Sequence, residues 1–114
     1  MHDQDPVLGL VIVGWVFTGL LLIVAVVCIA AGRGSLPPNQ LVGLRLPVLM
    51  RDERSWRAGH AAGRVPALVC FAIALVCDLI GLAQPGAYWG AIAAFVLGLV
   101  WIVVVAVRAA RRDA

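Results

Sequence analysis

With 114 residues, 63% of them hydrophobic and only 13% charged, the chain is too apolar for a soluble domain, whose apolar share is nearer about half. Lipid is its solvent, and little length remains for a soluble core. The net charge of +3 comes from nine arginines against six acids; no recognition motif accompanies it, which argues against a nucleic-acid partner. Anionic lipid headgroups account for the charge at roughly 1 kcal/mol per Arg near the surface.

Three runs of roughly 20 apolar residues, enough to cross about 30 Å of hydrocarbon, lie near residues 7–31, 65–83 and 87–107. The first follows Met1-His2-Asp3-Gln4-Asp5-Pro6, acidic where a secretory signal is basic, and no small-residue cleavage site follows, so it reads as a retained span. Pro6 suits a first helical turn and Gly32-Arg33-Gly34-Ser35 ends the helix. Thr18, near its centre, is of the kind that bonds back to its own backbone; Trp15, one turn nearer the amino-terminal end, is of the kind that packs. Leu36-Pro37-Pro38 makes a stiff link into the connector.

The connector, residues 32–64, holds most of the chemistry available outside lipid. Gly43 permits a tight backbone conformation and Pro47 stops a helix from running through 44–46. Arg45 is thereby held in a turn, with Asn39 and His60 placed to meet it through hydrogen bonds. Asp52 caps a helix of about residues 53–63 that puts Trp56, His60 and Gly63 on one face, with Arg54, Arg57, Ala61 and Arg64 elsewhere. That pattern predicts a short amphipathic interfacial helix, its aromatic side in the membrane boundary and its guanidinium groups toward lipid phosphates.

The second span contains Asp78. A charged carboxyl there costs at least a few kcal/mol, so Asp78 is either protonated or faces a partner inside the bundle. At about 1.5 Å per residue it falls near the level of Thr18 and Trp15 on the antiparallel first helix, its nearest predicted hydrogen-bond partners. Gln84-Pro85-Gly86 then makes a tight turn, and Tyr88 and Trp89 stand where aromatic belts form. Gly86, Gly90, Ala94 and Gly98 recur every four residues as a packing stripe, within this bundle or between copies. Trp101 and Arg108 to Arg112 anchor the far end.

Six arginines lie between the first two spans and three follow the last. The positive-inside rule then puts the amino terminus outside, and the connector and the carboxyl terminus in the cytoplasm. Cys28, Cys70 and Cys77 lie within spans and read as small hydrophobes. No metal-ligand spacing, phosphate loop or nucleophile constellation is present, so the sequence predicts a non-enzymatic protein without metal or cofactor. The fold expected is all-α: a single integral membrane domain over residues 1–114, with three transmembrane helices plus the interfacial helix in the first cytoplasmic loop.

Asn39, Gly43, Arg45, Pro47, Trp56, His60 and Gly63 together resemble the motif of the SdpI family of small bacterial membrane proteins. Members carry an Asn, a Gly-x-Arg-Thr with nearby Pro or Thr, and a Trp followed four residues later by His and soon after by Gly, all between two transmembrane helices. The match covers roughly a quarter of the chain. Leu46 and Val48 depart from it, standing where a Thr is common, and three spans are fewer than in the best-known member. The resemblance implies protection against a membrane-active peptide toxin and, in the typical member, capture of a repressor at the membrane. Arg45, Trp56 and His60 would then form a polar junction shaped by Asn39 and Gly63. Two other readings remain: an accessory subunit packing through the Gly86-to-Gly98 stripe against a larger membrane enzyme or transporter, and a small proton-coupled transporter using Asp78.

Overall fold

The computed structural model describes residues 6–39 and 42–112. The acidic amino-terminal segment with His2, and Gln40 and Leu41 in the connector, lie outside the described residues. Three helices, α1 (Pro6–Gly32), α2 (Glu53–Gly81) and α3 (Tyr88–Arg112), run up, down and up, with one 3-10 turn, Pro85–Ala87, between the last two. Each is long and apolar enough to cross a membrane.

Because lipid is as apolar as leucine, size rather than polarity distinguishes the face that α1 buries. Gly14, Thr18, Leu21, Ala25, Cys28 and Ala31 are its buried residues, at spacings of three or four that keep them on one helix face. Bulkier neighbours such as Leu8, Ile12, Val16 and Ile23 are exposed. On α2 the buried residues are again mainly small, including Gly59, Gly63, Ala67, Cys70, Ala74 and Gly81. The helices close on one cluster of Leu21, Cys70, Ala74 and Ala91 and a second of Ala25, Ala67 and Ile102. Phe17 stacks on Phe95 with ring centroids 4.2 Å apart.

The bundle measures 55 × 23 × 20 Å, longer than the about 30 Å of hydrocarbon it must cross. Much of the excess lies at the end that carries the connector, here the loop end. α2 begins at Glu53, a dozen residues before the apolar run at Val65. α3 continues to Arg112, five residues past its expected end. There a third cluster forms from Leu49, Ala106 and Ala110, with Leu44, Leu46 and Val48 packed against it.

Two expectations need correction. No separate interfacial helix is present among the described residues: positions 53–63 are the first turns of α2, which runs unbroken through Pro66 to Gly81. Proline leaves one carbonyl without its helical donor, but unwinding a chain at membrane depth would orphan several backbone groups, and Pro66 is buried within the bundle. Trp56 consequently points into the fold rather than into the headgroup layer; its exposure is 0%. Tyr88, expected in an aromatic belt, is also fully buried, whereas its neighbour Trp89 is exposed.

Candidate functional site

Between α1 and α2 the chain folds back against both helices. Asn39 organises the entry: its Nδ2 donates to Pro37 O at 2.8 Å and its Oδ1 accepts the Val42 N–H at 2.8 Å, the kind of local side-chain turn that asparagine makes. Gly43 follows with φ +117, in the region that favours glycine. A Cβ at that position would overlap the Trp56 ring and stand 3.2 Å from His60 Nε2. The backbone is therefore laid flat on the aromatic pair that α2 presents.

That pair is itself fixed. Trp56 and His60, one turn apart on α2, pack with ring centroids 4.2 Å apart, tilted by 45°. Trp56 Nε1–H donates to Leu36 O at 2.8 Å, and the Leu44 N–H donates to His60 Nε2 at 2.8 Å. His60 Nδ1 lies 2.8 Å from Trp56 O. Since Nε2 accepts, the proton sits on Nδ1 and the ring is neutral, so one imidazole satisfies a loop donor and a helix carbonyl at once. Gly63 lies one turn further on, where a Cβ would meet Cys28 Sγ at 3.2 Å and Ile102 Cγ2 at 3.3 Å. Leu44 reaches the same place and packs against both the Ala25 and the Leu49 clusters.

The structure thus brings Gly43, Trp56, His60 and Gly63 together around the Leu36 and Leu44 backbone. Arg45 and Pro47 occupy the exposed edge of the loop. His60 does not turn to Arg45, because both its ring nitrogens are engaged elsewhere. Beside Gly43 a groove of about 290 Å³ runs between the loop and α1, lined by Ile23, Val24, Val27, Val42, Gly43 and Leu44.

Arg51 is a site residue that the sequence pattern did not single out. Its Nη2 donates to Ser55 Oγ at 2.7 Å and to Ala110 O at 3.2 Å, tying the loop to the last turn of α3, where carbonyls lack helical donors. Asp52 caps α2 by accepting the Ser55 N–H at 2.7 Å, which holds its carboxyl below the usual carboxylate range. The sequence announced Asp52 as the cap of a helix beginning at Glu53. Nothing local announced the arginine's reach to residue 110.

A second polar cluster occupies the opposite, turn end of the bundle. Thr18 Oγ1 stands 2.5 Å from Asp78 Oδ2 and 2.9 Å from Gly14 O, so Thr18 meets both the predicted partner and its own backbone. Trp15, expected at Asp78, donates instead to Tyr88 Oη at 3.2 Å. Tyr88 fits there because Gly14 and Gly81 have no side chains: a Cβ on either would lie within 2.6 or 2.7 Å of its ring. Of the small-residue stripe, Gly90 faces Cys77, Gly98 faces Cys70, and Ala94 packs on the first core cluster. A Cβ on Gly86 would meet nothing within 4 Å. The three cysteines are free thiols, and the described residues include no group of three metal-ligating side chains.

Fold and site together define a three-helix membrane protein whose first connector is a structured loop, hydrogen-bonded to the second helix through a tryptophan and a histidine. The SdpI/YfhL protein family matches residues 35–108, well over half of the chain, and the protein belongs to that family. The matched region takes in the loop from residue 35 onward, α2 and most of α3, and leaves α1 outside it. No curated protein and no solved structure matches the chain significantly.

Proposed function

We propose that the protein is a non-enzymatic membrane immunity protein that protects a bacterial cell membrane against a membrane-active peptide toxin. The observation that carries the reading is the meeting of Gly43, Trp56 and His60 in one hydrogen-bonded knot, within a chain of the SdpI/YfhL family. The knot gives the loop a fixed shape, and Arg45 at its exposed edge supplies a charge for a partner. The groove beside Gly43 offers apolar contact at the edge of lipid.

In this reading the amino terminus is outside, and the loop and the carboxyl terminus are in the cytoplasm. The arginine asymmetry supports that orientation: six in the loop and three after α3. The partner is the toxin peptide or its membrane target. Challenge of cells with depolarising peptides tests the proposal, read as retained membrane potential. Wild-type protein should protect. Arg45→Ala, which leaves the knot's hydrogen bonds in place, should lose most of the protection at unchanged abundance. Full protection by Arg45→Ala, Trp56→Ala and His60→Ala, each inserted normally, would remove the assignment.

A further inference from the structure

The knot makes no use of Asp78, which is 0% exposed yet bonded through only one oxygen. Oδ2 meets Thr18, while Oδ1 is buried without a hydrogen-bond partner among the described residues. Counting hydrogens assigns the proton. Thr18 has a single hydroxyl hydrogen and stands within bonding distance of two acceptors, Gly14 O and Asp78 Oδ2. Both contacts are hydrogen bonds only when the carboxyl supplies the second hydrogen.

The surroundings agree with a neutral acid. From α1 it meets Gly14 and Thr18, neither of which titrates. From α3 the titratable group nearby is the Tyr88 phenol, whose oxygen accepts from Trp15. On its own helix Cys77 turns toward Gly90. The nearest arginine along α2 is Arg64, fourteen residues away, which at 1.5 Å per residue is about 21 Å. Among the described residues a carboxylate here would have one donor for two oxygens, and no cation.

We propose that Asp78 is a proton-held clasp at the turn end: its Oδ2–H donates to Thr18 Oγ1, Thr18 donates to Gly14 O, and loss of the proton parts α1 from the α2–α3 hairpin. Ionisation sends the proton to water and leaves a charge whose Oδ1 has no donor among the described residues. Water must then enter between Gly14 and Tyr88, where the packing leaves no room for even a Cβ. The clasp is therefore closed at low and neutral pH and opens as the pH on that side rises. This inference is independent of the protective role.

Infrared difference spectroscopy of reconstituted protein tests the first half. A protonated-carboxyl C=O band is expected at neutral pH and should vanish in Asp78→Asn; a carboxylate signature from Asp78 at neutral pH would overturn the proposal. For the second half, spin labels at positions 8 and 82, both exposed, report the gap in a background with Cys28, Cys70 and Cys77 replaced by Ala. The distance should widen under alkaline conditions with Asp78 present and stay constant with D78N. Equal widening in both, or no widening once the band is lost, would refute the clasp. Should D78N fail to fold, Thr18→Val provides the check: the C=O band must move as the Oδ2–H loses its acceptor, and an unmoved band would refute the pairing.

Discussion

A neutral imidazole with its hydrogen on Nδ1 serves two neighbours of His60, and this decides what the position tolerates. His60→Phe keeps the ring against Trp56 but leaves the Leu44 N–H without its acceptor, which should cost about 1 to 3 kcal/mol. His60→Gln, which offers a carbonyl oxygen, should recover part of that. Thermal unfolding of the variants in one detergent gives the order wild type, Gln, Phe; equal stability of Gln and Phe would mean the hydrogen bond is immaterial. Gly43→Ala attacks the knot from the other side. Its φ of +117 and the overlap with Trp56 act together, so a loss of about 1 to 3 kcal/mol is expected by the same measurement. At this scale sequence reading succeeded in part. The Trp56 and His60 face is visible because four residues make one helical turn. That Gly43 lies beneath it was not visible, since a contact thirteen residues away across an irregular loop leaves no periodic trace. Arg45 was expected in a turn, but the turn forms just after it, over residues 47–49, and the partner of His60 is a backbone N–H; such donors look alike in any sequence.

The continuity of α2 shows the same limit at the level of an element. Gly63, Arg64 and Pro66 are ordinary signs of a helix boundary, and they suggested a break between an interfacial helix and a span. Packing overrides them: Gly63 is glycine for its approach to Cys28 and Ile102, and Gly59 for its approach to Leu49. The start of the helix was legible because a cap is a local interaction. Asp52 also gives the element a pH dependence. Ser55 holds the folded carboxyl below its unfolded value, which is near 3.9. The cap's stabilisation is therefore present above about pH 4 and is lost as the pH falls through the lower folded value. Protection of the Ser55 amide against hydrogen exchange, taken relative to its intrinsic rate at each pH, should drop across that acid window in wild type. Asn also caps helices but carries no carboxyl, so Asp52→Asn should show no acid step; an identical step in the variant would trace the effect to another group.

Across the whole molecule the three spans were readable because crossing lipid demands long apolar runs, and α1 departs from its expected bounds by one residue at each end. Which face each helix turns inward was harder to read. Where every side chain is apolar, only size separates a buried position from a lipid-facing one, and a stripe of small residues fits either a neighbouring helix in the same chain or a second copy. In this fold Gly90, Ala94 and Gly98 are taken up by the contact with α2, where Cys77 and Cys70 fill the space their missing side chains leave. The two roles separate under substitution. Leucine at Gly98 must displace Cys70, since even a Cβ would lie 2.8 Å from its Sγ, and overpacking of this kind costs about 1 to 3 kcal/mol. Leucine at Gly86, where a Cβ meets nothing within 4 Å, should change stability by less than about 0.5 kcal/mol. If the stripe serves the fold, Gly98→Leu lowers the unfolding temperature and leaves the mass of the detergent-solubilised species unchanged by light scattering. If it serves assembly instead, the same substitution leaves unfolding untouched and converts a larger species to a smaller one.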